Sequence, residues 1–184
     1  AKDWPEKALE FYKSFLNKNP KSNEVRLEYA KTLTSLKRYV EAKKEFLKLV
    51  DGSLASPEIS LTVALLSLEL NDNLLAEKFF NQSLERGYSQ QDKIQIYLAR
   101  IYNKRGDYKK ALSTLDKIVS GELFVDAKLL ATEIIAQNES TDKAIESLSI
   151  YKNIGPSDKL RFLQAKTSLP VSYTHLTLPT TPYV

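Results

Sequence analysis

The stretch IYLARIYNKRGDYKKALSTLDKIV, residues 96–119, contains two amphipathic patterns separated by a short polar turn. Apolar side chains recur at intervals of three and four on both sides of the turn, which is typical of α-helices that bury one face. Each half also carries a small residue, Ala99 or Ala111, among the larger ones. The stretch therefore predicts two antiparallel helices, with Gly106 adopting the positive φ that a sharp helix end often needs.

The second half of this stretch recurs along the chain. The related segments carry an alanine at the same place, at spacings of 34, 34, 35 and 33 residues: Ala8, Ala42, Ala76, Ala111 and Ala144. A large residue follows each alanine by four positions, on the same helix face; these residues are Tyr12, Phe46, Phe80, Leu115 and Leu148. We expect the alanine to let a neighbouring helix approach closely and the large side chain to fill the space beside it.

The first half recurs as well, with a small residue twelve positions before each of the last four alanines: Ala30, Ala64, Ala99 and Thr132. Every period of about 34 residues therefore predicts a pair of antiparallel helices. Ser56, Pro57 and Glu58 form the pattern of an N-cap, a first-turn proline and an acid favoured by the helix dipole. Pro156–Asp158 repeats that pattern, and turns are predicted at 37–39, 71–73, 105–107 and 138–140. The predicted fold class is all-α, an α-solenoid of helix pairs.

The predicted repeat domain covers residues 1–169. It comprises the second helix of a broken repeat at 4–19, repeats at about 23–55, 57–89, 91–122 and 124–154, and an orphan first helix at 157–168. Because each outer helix lacks its partner, its apolar face is expected to be uncovered. We therefore expect the sequence to be an interior piece of a longer protein, cut at both ends.

This repeat resembles the tetratricopeptide repeat family. The unit at 91–122 is most similar, with the family's signature positions held by Leu98, Ala99, Tyr102, Gly106, Tyr108, Ala111 and Leu115. Ser67, Asn71 and Lys128 depart from the usual aromatic, glycine and tryptophan. The resemblance implies a right-handed superhelix whose first helices line a concave groove that binds peptides or helices. A helical array of slightly longer period is the alternative, and it leaves the expected function almost unchanged.

The resemblance also implies which first-helix positions face the groove. The fifth position holds Leu27, Leu61, Ile96, Leu129 and Leu160, and the ninth holds Lys31, Leu65, Arg100, Glu133 and Gln164. The aliphatic row has a second interpretation, packing between helices, whereas Lys31 and Arg100 are expected to be exposed because unpaired charges are seldom buried. The family's clamp for a C-terminal carboxylate needs a cation where Leu27 stands, so no such clamp is predicted.

Several classes of chemistry are excluded or unsupported by composition. The absence of cysteine excludes disulfides, thiolate zinc sites and cysteine nucleophiles. No phosphate-binding or dinucleotide-binding glycine motif and no nucleophile elbow occurs, and carboxylates such as Glu41 and Glu45 have ordinary helix-surface spacing. We therefore predict that the chain is not an enzyme and uses neither a cofactor nor a metal.

The net charge of +4 is concentrated near the start of the chain, since residues 1–50 contain 12 Lys and Arg against 7 Asp and Glu. This surplus lacks the clustered arginine and aromatic residues of nucleic-acid binders, so no nucleic-acid partner is predicted. No apolar run approaches the roughly 18 residues of a membrane span. The composition fits cytoplasm and periplasm equally, so localisation stays open.

Two functions remain. The first is a protein–protein interaction scaffold that binds a peptide or helix in its groove. The alternative is a regulatory or substrate-recruiting repeat region of a larger enzyme, whose catalytic domain lies outside this sequence.

The final segment, VSYTHLTLPTTPYV at 171–184, breaks the helical period after Pro170 and contains the only histidine, His175. VSYTHLTLPT resembles one reading frame of a transposase-type sequencing adapter at every position. We interpret 170–184 as a non-native disordered tail, with a natural linker as the alternative. His175 is therefore given no functional role.

Overall fold

The computed structural model describes residues 4–149 and 160–165, and every regular element within them is helical. Residues 160–165 form the last described helical stretch. The preceding helices are α1 (Trp4–Lys18), α2 (Asn23–Ser35), α3 (Tyr39–Leu47), α4 (Pro57–Glu69), α5 (Asn73–Glu85), α6 (Gln91–Lys104), α7 (Tyr108–Leu115), α8 (Phe124–Asn138) and α9 (Thr141–Ser149). The all-α prediction is confirmed.

The helices belong to two compact units, Ala1–Ile94 and Gln95–Val184, whose boundary falls inside α6. In unit 1, α1 packs on α2, α2 on α3, α3 on α4, and α4 on α5. In unit 2, α7 packs on α8 and α8 on α9, while the Lys110 ammonium lies 4.0 Å from the centroid of the Tyr102 ring and so joins α7 to α6. Within each unit, these helices thus pack on neighbours in sequence, as in helical repeat arrays.

Most of the recurring small residues are buried within their units. Ala30, Ala42, Ala64, Ala76, Ala99, Ala111 and Ala144 are fully buried, and Thr132 is 2% exposed. Phe46, Phe80, Leu115 and Leu148, four positions after a second-helix alanine, are also buried. The expected pairing of a small and a large residue on one helix face is confirmed for these repeats. Ala8 differs, because it is only half-buried on α1.

Side-chain caps set several helix starts. Ser56 Oγ accepts a hydrogen bond from the Ile59 N–H at 3.3 Å, and Pro57 is the first residue of α4, as predicted. Asp72 and Asp107 cap α5 and α7 in the same way, each at 3.2 Å. These caps satisfy N–H groups that have no partner in the first turn of a helix. The cap predicted at 156–158 lies outside the described residues.

The turns between the helices of a pair require a left-handed backbone. Gly106 has φ +83°, which confirms its predicted role, and Lys37 and Asn71 take φ +59° and +58° at the corresponding turns. Glycine adopts this conformation without the steric cost that a Cβ brings, and asparagine tolerates it better than lysine. Lys37 therefore carries backbone strain that Gly106 avoids.

Gly106→Ala is expected to lower the free energy of unfolding by about 1 kcal/mol, the cost of a Cβ in the left-handed region. A Cβ at Gly106 would meet no atom within 4 Å, so the loss would be conformational. Lys37→Gly should give a smaller gain, because the freedom of glycine in the unfolded chain offsets part of the relief. Urea denaturation measures both changes, and a loss of stability in Lys37→Gly would contradict this account.

Candidate partner-binding surfaces

The first-helix surface of unit 1 consists of Leu27 and Lys31 on α2 and Leu61 and Leu65 on α4. All three leucines are half-buried, so each packs on one side and remains open to solvent on the other. Lys31 is exposed, as predicted, and its Nζ lies 2.8 Å from Glu28 Oε1. This surface is mainly apolar, with a cation held in an exposed ion pair.

The corresponding aliphatic residues of unit 2 are Ile96 and Leu129. Ile96 on α6 is only 7% exposed, so little of its surface is open to a partner. Leu129 on α8 is half-buried and packs against the cluster of Val125, Leu148 and Phe162. Packing between helices, the second interpretation of the aliphatic row, describes these two residues better than it describes Leu61 and Leu65.

Arg100 and Glu133 also lie on the first helices of unit 2, and both are half-buried. The Arg100 Nε is enclosed and has no hydrogen-bond acceptor within the described part of the chain. Glu133 instead accepts a hydrogen bond from the Gln137 amide at 3.1 Å. Arg100 was expected to be exposed, but it is half-buried and its Nε is enclosed by the protein.

Side-chain amides connect α6 with α8 on the same unit. The Asn103 Nδ2 donates to Gln137 Oε1 at 3.2 Å, and the Asn138 Nδ2 donates to Asn103 Oδ1 at 3.2 Å. Asn103 lies one helical turn after Arg100, and Gln137 lies one turn after Glu133. The amides and the two charged residues therefore make the helix surface here polar, unlike the apolar first-helix surface of unit 1.

The pKa values of Tyr29 on α2 and of Glu41 on α3 are shifted in unit 1. Arg38 donates from Nε and Nη2 to the two carboxylate oxygens of Glu41 at 2.7 and 2.8 Å, and these bonds lower the pKa of Glu41. Burial raises the pKa of Tyr29, and the negative charges of Glu41 and Glu45 raise it further. Glu41 is therefore ionised and Tyr29 neutral near pH 7.

Small-molecule chemistry has little support in the described residues. They contain no group of His, Asp and Glu side chains placed to hold a metal ion. A small hollow of about 120 Å³ lies beside Lys128 and Asp116 in unit 2, well below the size of ordinary ligand pockets. Among residues 4–149 and 160–165, no helix combines the length and apolar character needed to cross a membrane.

Solved structures with the same architecture are numerous. A crystal structure of MamA protein matches with a TM-score of 0.69 at 17% identity, over 97% of this chain and 91% of that chain. YrrB, described as a TPR protein with an unusual peptide-binding site, matches with a TM-score of 0.69 at 20% identity, over 90% and 84%. The C-terminal part of a TPR repeat-containing protein from Cytophaga hutchinsonii gives 0.66 at 14% identity, over 92% and 67%. The chain has the tetratricopeptide repeat fold.

At the sequence level, no protein-family model matches the chain, and no curated protein is similar enough to count as a match. The tetratricopeptide repeat fold is therefore established by the helix arrangement, and identities below 25% carry no statement about function.

The tetratricopeptide repeats of this chain bury a polar residue where the fold usually has tryptophan. The residues are Arg26, Ser60, Gln95 and Lys128, none more than 9% exposed. Arg26 pairs with Glu45 at 2.5 Å, and Lys128 with Asp116 at 3.3 Å, whereas the Gln95 Oε1 has no partner among the described residues. The sequence singled out only Lys128. All four residues lie four positions before a recurring small residue of a first helix, and this spacing identifies them in the sequence.

Arg86 links the second tetratricopeptide repeat to the end of the first within unit 1. Its Nη1 donates to the Val50 carbonyl at 2.8 Å and to Ser60 Oγ at 3.0 Å, and its Nη2 lies 3.2 Å from Asp51 Oδ1. This network fixes α4 and α5 against the segment that follows α3. It has no signature in the sequence, because the partners are 26 to 36 residues away.

Proposed function

We propose that this chain is a non-enzymatic protein-interaction module that binds a peptide or helix of a partner protein on its first helices. The observation that carries the proposal is the first-helix surface of unit 1, where Leu27, Leu61 and Leu65 keep part of their apolar surface in water beside the exposed Lys31. Covering such surface is favourable by roughly 25 cal/mol per Å².

The fold also supports an interaction role, because helical repeats present extended surfaces of stacked first helices. YrrB, one of the structures with this fold, is described as having a peptide-binding site. We extend that kind of ligand to this chain as part of the proposal. Binding to a nucleic acid is not expected, and a role as the recruiting region of a larger enzyme remains the alternative prediction.

A random-peptide phage library selected on the chain should enrich binders. Leu61→Glu combined with Leu65→Glu should lower the affinity of a selected peptide at least about tenfold, because each carboxylate must be desolvated against the apolar ligand. Lys31→Glu should weaken binding of peptides that carry an acid, as should Arg100→Glu. Isothermal titration calorimetry measures these affinities.

Leu74→Glu is the matched control, because Leu74 is 71% exposed on the second helix α5. Leu74→Glu should bind the selected peptide with the same affinity as the unsubstituted chain. A circular dichroism melt verifies that each variant is folded. A library that yields no specific binders, or an equal loss in Leu74→Glu and in the α4 variant, would refute the proposed surface.

A further inference from the structure

We propose that Arg100 binds the side-chain carboxylate of an Asp or Glu in an extended peptide. The inference rests on the proposed function and specifies the chemistry of the partner. Arg100 is a cation on the first helix α6, and its Nε has no acceptor among the described residues.

The hydrogen bonding of Arg100 is incomplete in the free chain. Its Nε is shut off from solvent and has no acceptor in the part of the chain that the structure describes. An unmade hydrogen bond of a buried donor is unfavourable. Glu133, the acid at the same position of the next first helix, binds the Gln137 amide, and no ion pair joins it to Arg100 in the described residues. An acceptor from outside the chain would satisfy the guanidinium.

The same chain contains an example of the pairing that we propose. Arg38 binds Glu41 side-on, through Nε and Nη2 to the two carboxylate oxygens. This bidentate geometry is the strongest arrangement that a guanidinium makes with a carboxylate. A partner carboxylate that draws the Arg100 side chain away from the protein surface would gain both bonds and release the enclosed Nε.

The neighbouring amides favour an extended ligand. Asn103 uses one amide hydrogen in its bond to Gln137 on α8, and Gln137 uses one in its bond to Glu133 within α8. An amide group has two hydrogens to donate. The second hydrogens are suited to backbone carbonyls, which an extended peptide leaves unpaired. The partner is therefore a peptide with an acidic side chain opposite Arg100 and backbone carbonyls near the amides.

The test selects a random-peptide phage library separately on the unsubstituted chain, on Arg100→Gln and on Lys109→Gln. Lys109 is an exposed cation on the second helix α7, so its variant removes the same charge elsewhere in unit 2. The unsubstituted chain and Lys109→Gln should enrich an Asp or Glu at one position, and Arg100→Gln should lose that preference. Replacing the acid by its amide should weaken a selected peptide about tenfold, but leave its affinity for Arg100→Gln unchanged.

The outcomes separate this inference from the proposed function. If no peptide is enriched, both the inference about Arg100 and the proposed function are refuted. Peptides that bind without an acid, and equally well to Arg100→Gln, would overturn the inference alone. Acid-free peptides that need Arg100 and lose affinity when their C-terminus is amidated would identify a chain-terminal carboxylate instead, and would also overturn it.

Thermal melting gives a further readout. Because the enclosed Nε of Arg100 has no hydrogen-bond acceptor within the described residues, Arg100→Gln should melt at the same temperature as Lys109→Gln or higher. A clearly lower melting temperature of Arg100→Gln would show that Arg100 bonds within the chain, and would contradict the proposal.

Discussion

Phe80→Ala is expected to lower the free energy of unfolding by about 4 kcal/mol. Phe80 lies on α5, and none of its surface is exposed. Removing the ring loses its transfer free energy and leaves a cavity in the core of unit 1. Since single domains are stable by only about 5–15 kcal/mol, this change would remove a large part of the stability of unit 1.

Urea denaturation followed by circular dichroism measures the loss, and amide hydrogen exchange shows whether α4 and α5 open first. Phe11→Ala is the matched control, because Phe11 is 64% exposed on α1 and contacts Phe15 and Tyr12 only through ring edges and tilted faces. It should cost about 1 kcal/mol or less. Similar losses in the two variants would contradict the burial of Phe80 in a packed core.

Glu45→Ala should lower the free energy of unfolding by about 3 kcal/mol, because it leaves the buried cation of Arg26 without its acid. The Arg26 and Glu45 side chains are 10% and 12% exposed, and Arg26 Nη1 lies 2.5 Å from Glu45 Oε2. The remaining partner of Arg26 is the Pro20 carbonyl, which accepts from Nη2 but carries no charge. Exposed pairs behave differently, because water solvates each ion when the other is removed.

The control substitution is Glu28→Ala, since Glu28 is 55% exposed and pairs with Lys31. Glu28→Ala should lower the free energy of unfolding by no more than about 1 kcal/mol. The double variant Arg26→Met with Glu45→Leu should recover most of the stability, because two apolar residues of similar volume replace a desolvated pair. Denaturant unfolding of all three variants measures the differences. A Glu45→Ala loss no larger than that of Glu28→Ala would refute a buried ion pair.

The backbone features were largely predictable from sequence because they depend on local chemistry. Gly106 and Ser56 act through their own turn or the first turn of their own helix, and the pattern around them predicts both roles. The recurring alanines and the large residues after them were also predictable, since helix periodicity places both on one face. Ala8 was the exception, because it is only half-buried on α1.

The candidate surfaces were predictable only in part. Leu61 and Ile96 both hold the fifth position of a first helix and were both expected to face the groove. Leu61 is half-buried, however, and Ile96 is buried. Equivalent positions in a repeat differ when the residues packed around them differ, and those neighbours come from other helices. The burial of Arg26, Gln95 and Lys128 was missed for the same reason, because charge and polarity alone predict exposure.

The repeat period, the helix pairs and the buried small residues could all be predicted from the sequence, because they follow from side-chain spacing along one chain. Which polar groups find partners depends instead on how the helices pack. Glu45 binds Arg26 across 19 residues and Arg86 binds Val50 across 36, whereas the Arg100 Nε has no acceptor in the described residues. Hydrogen bonds and ion pairs depend on distances of a few ångströms, which only the packing of the helices sets.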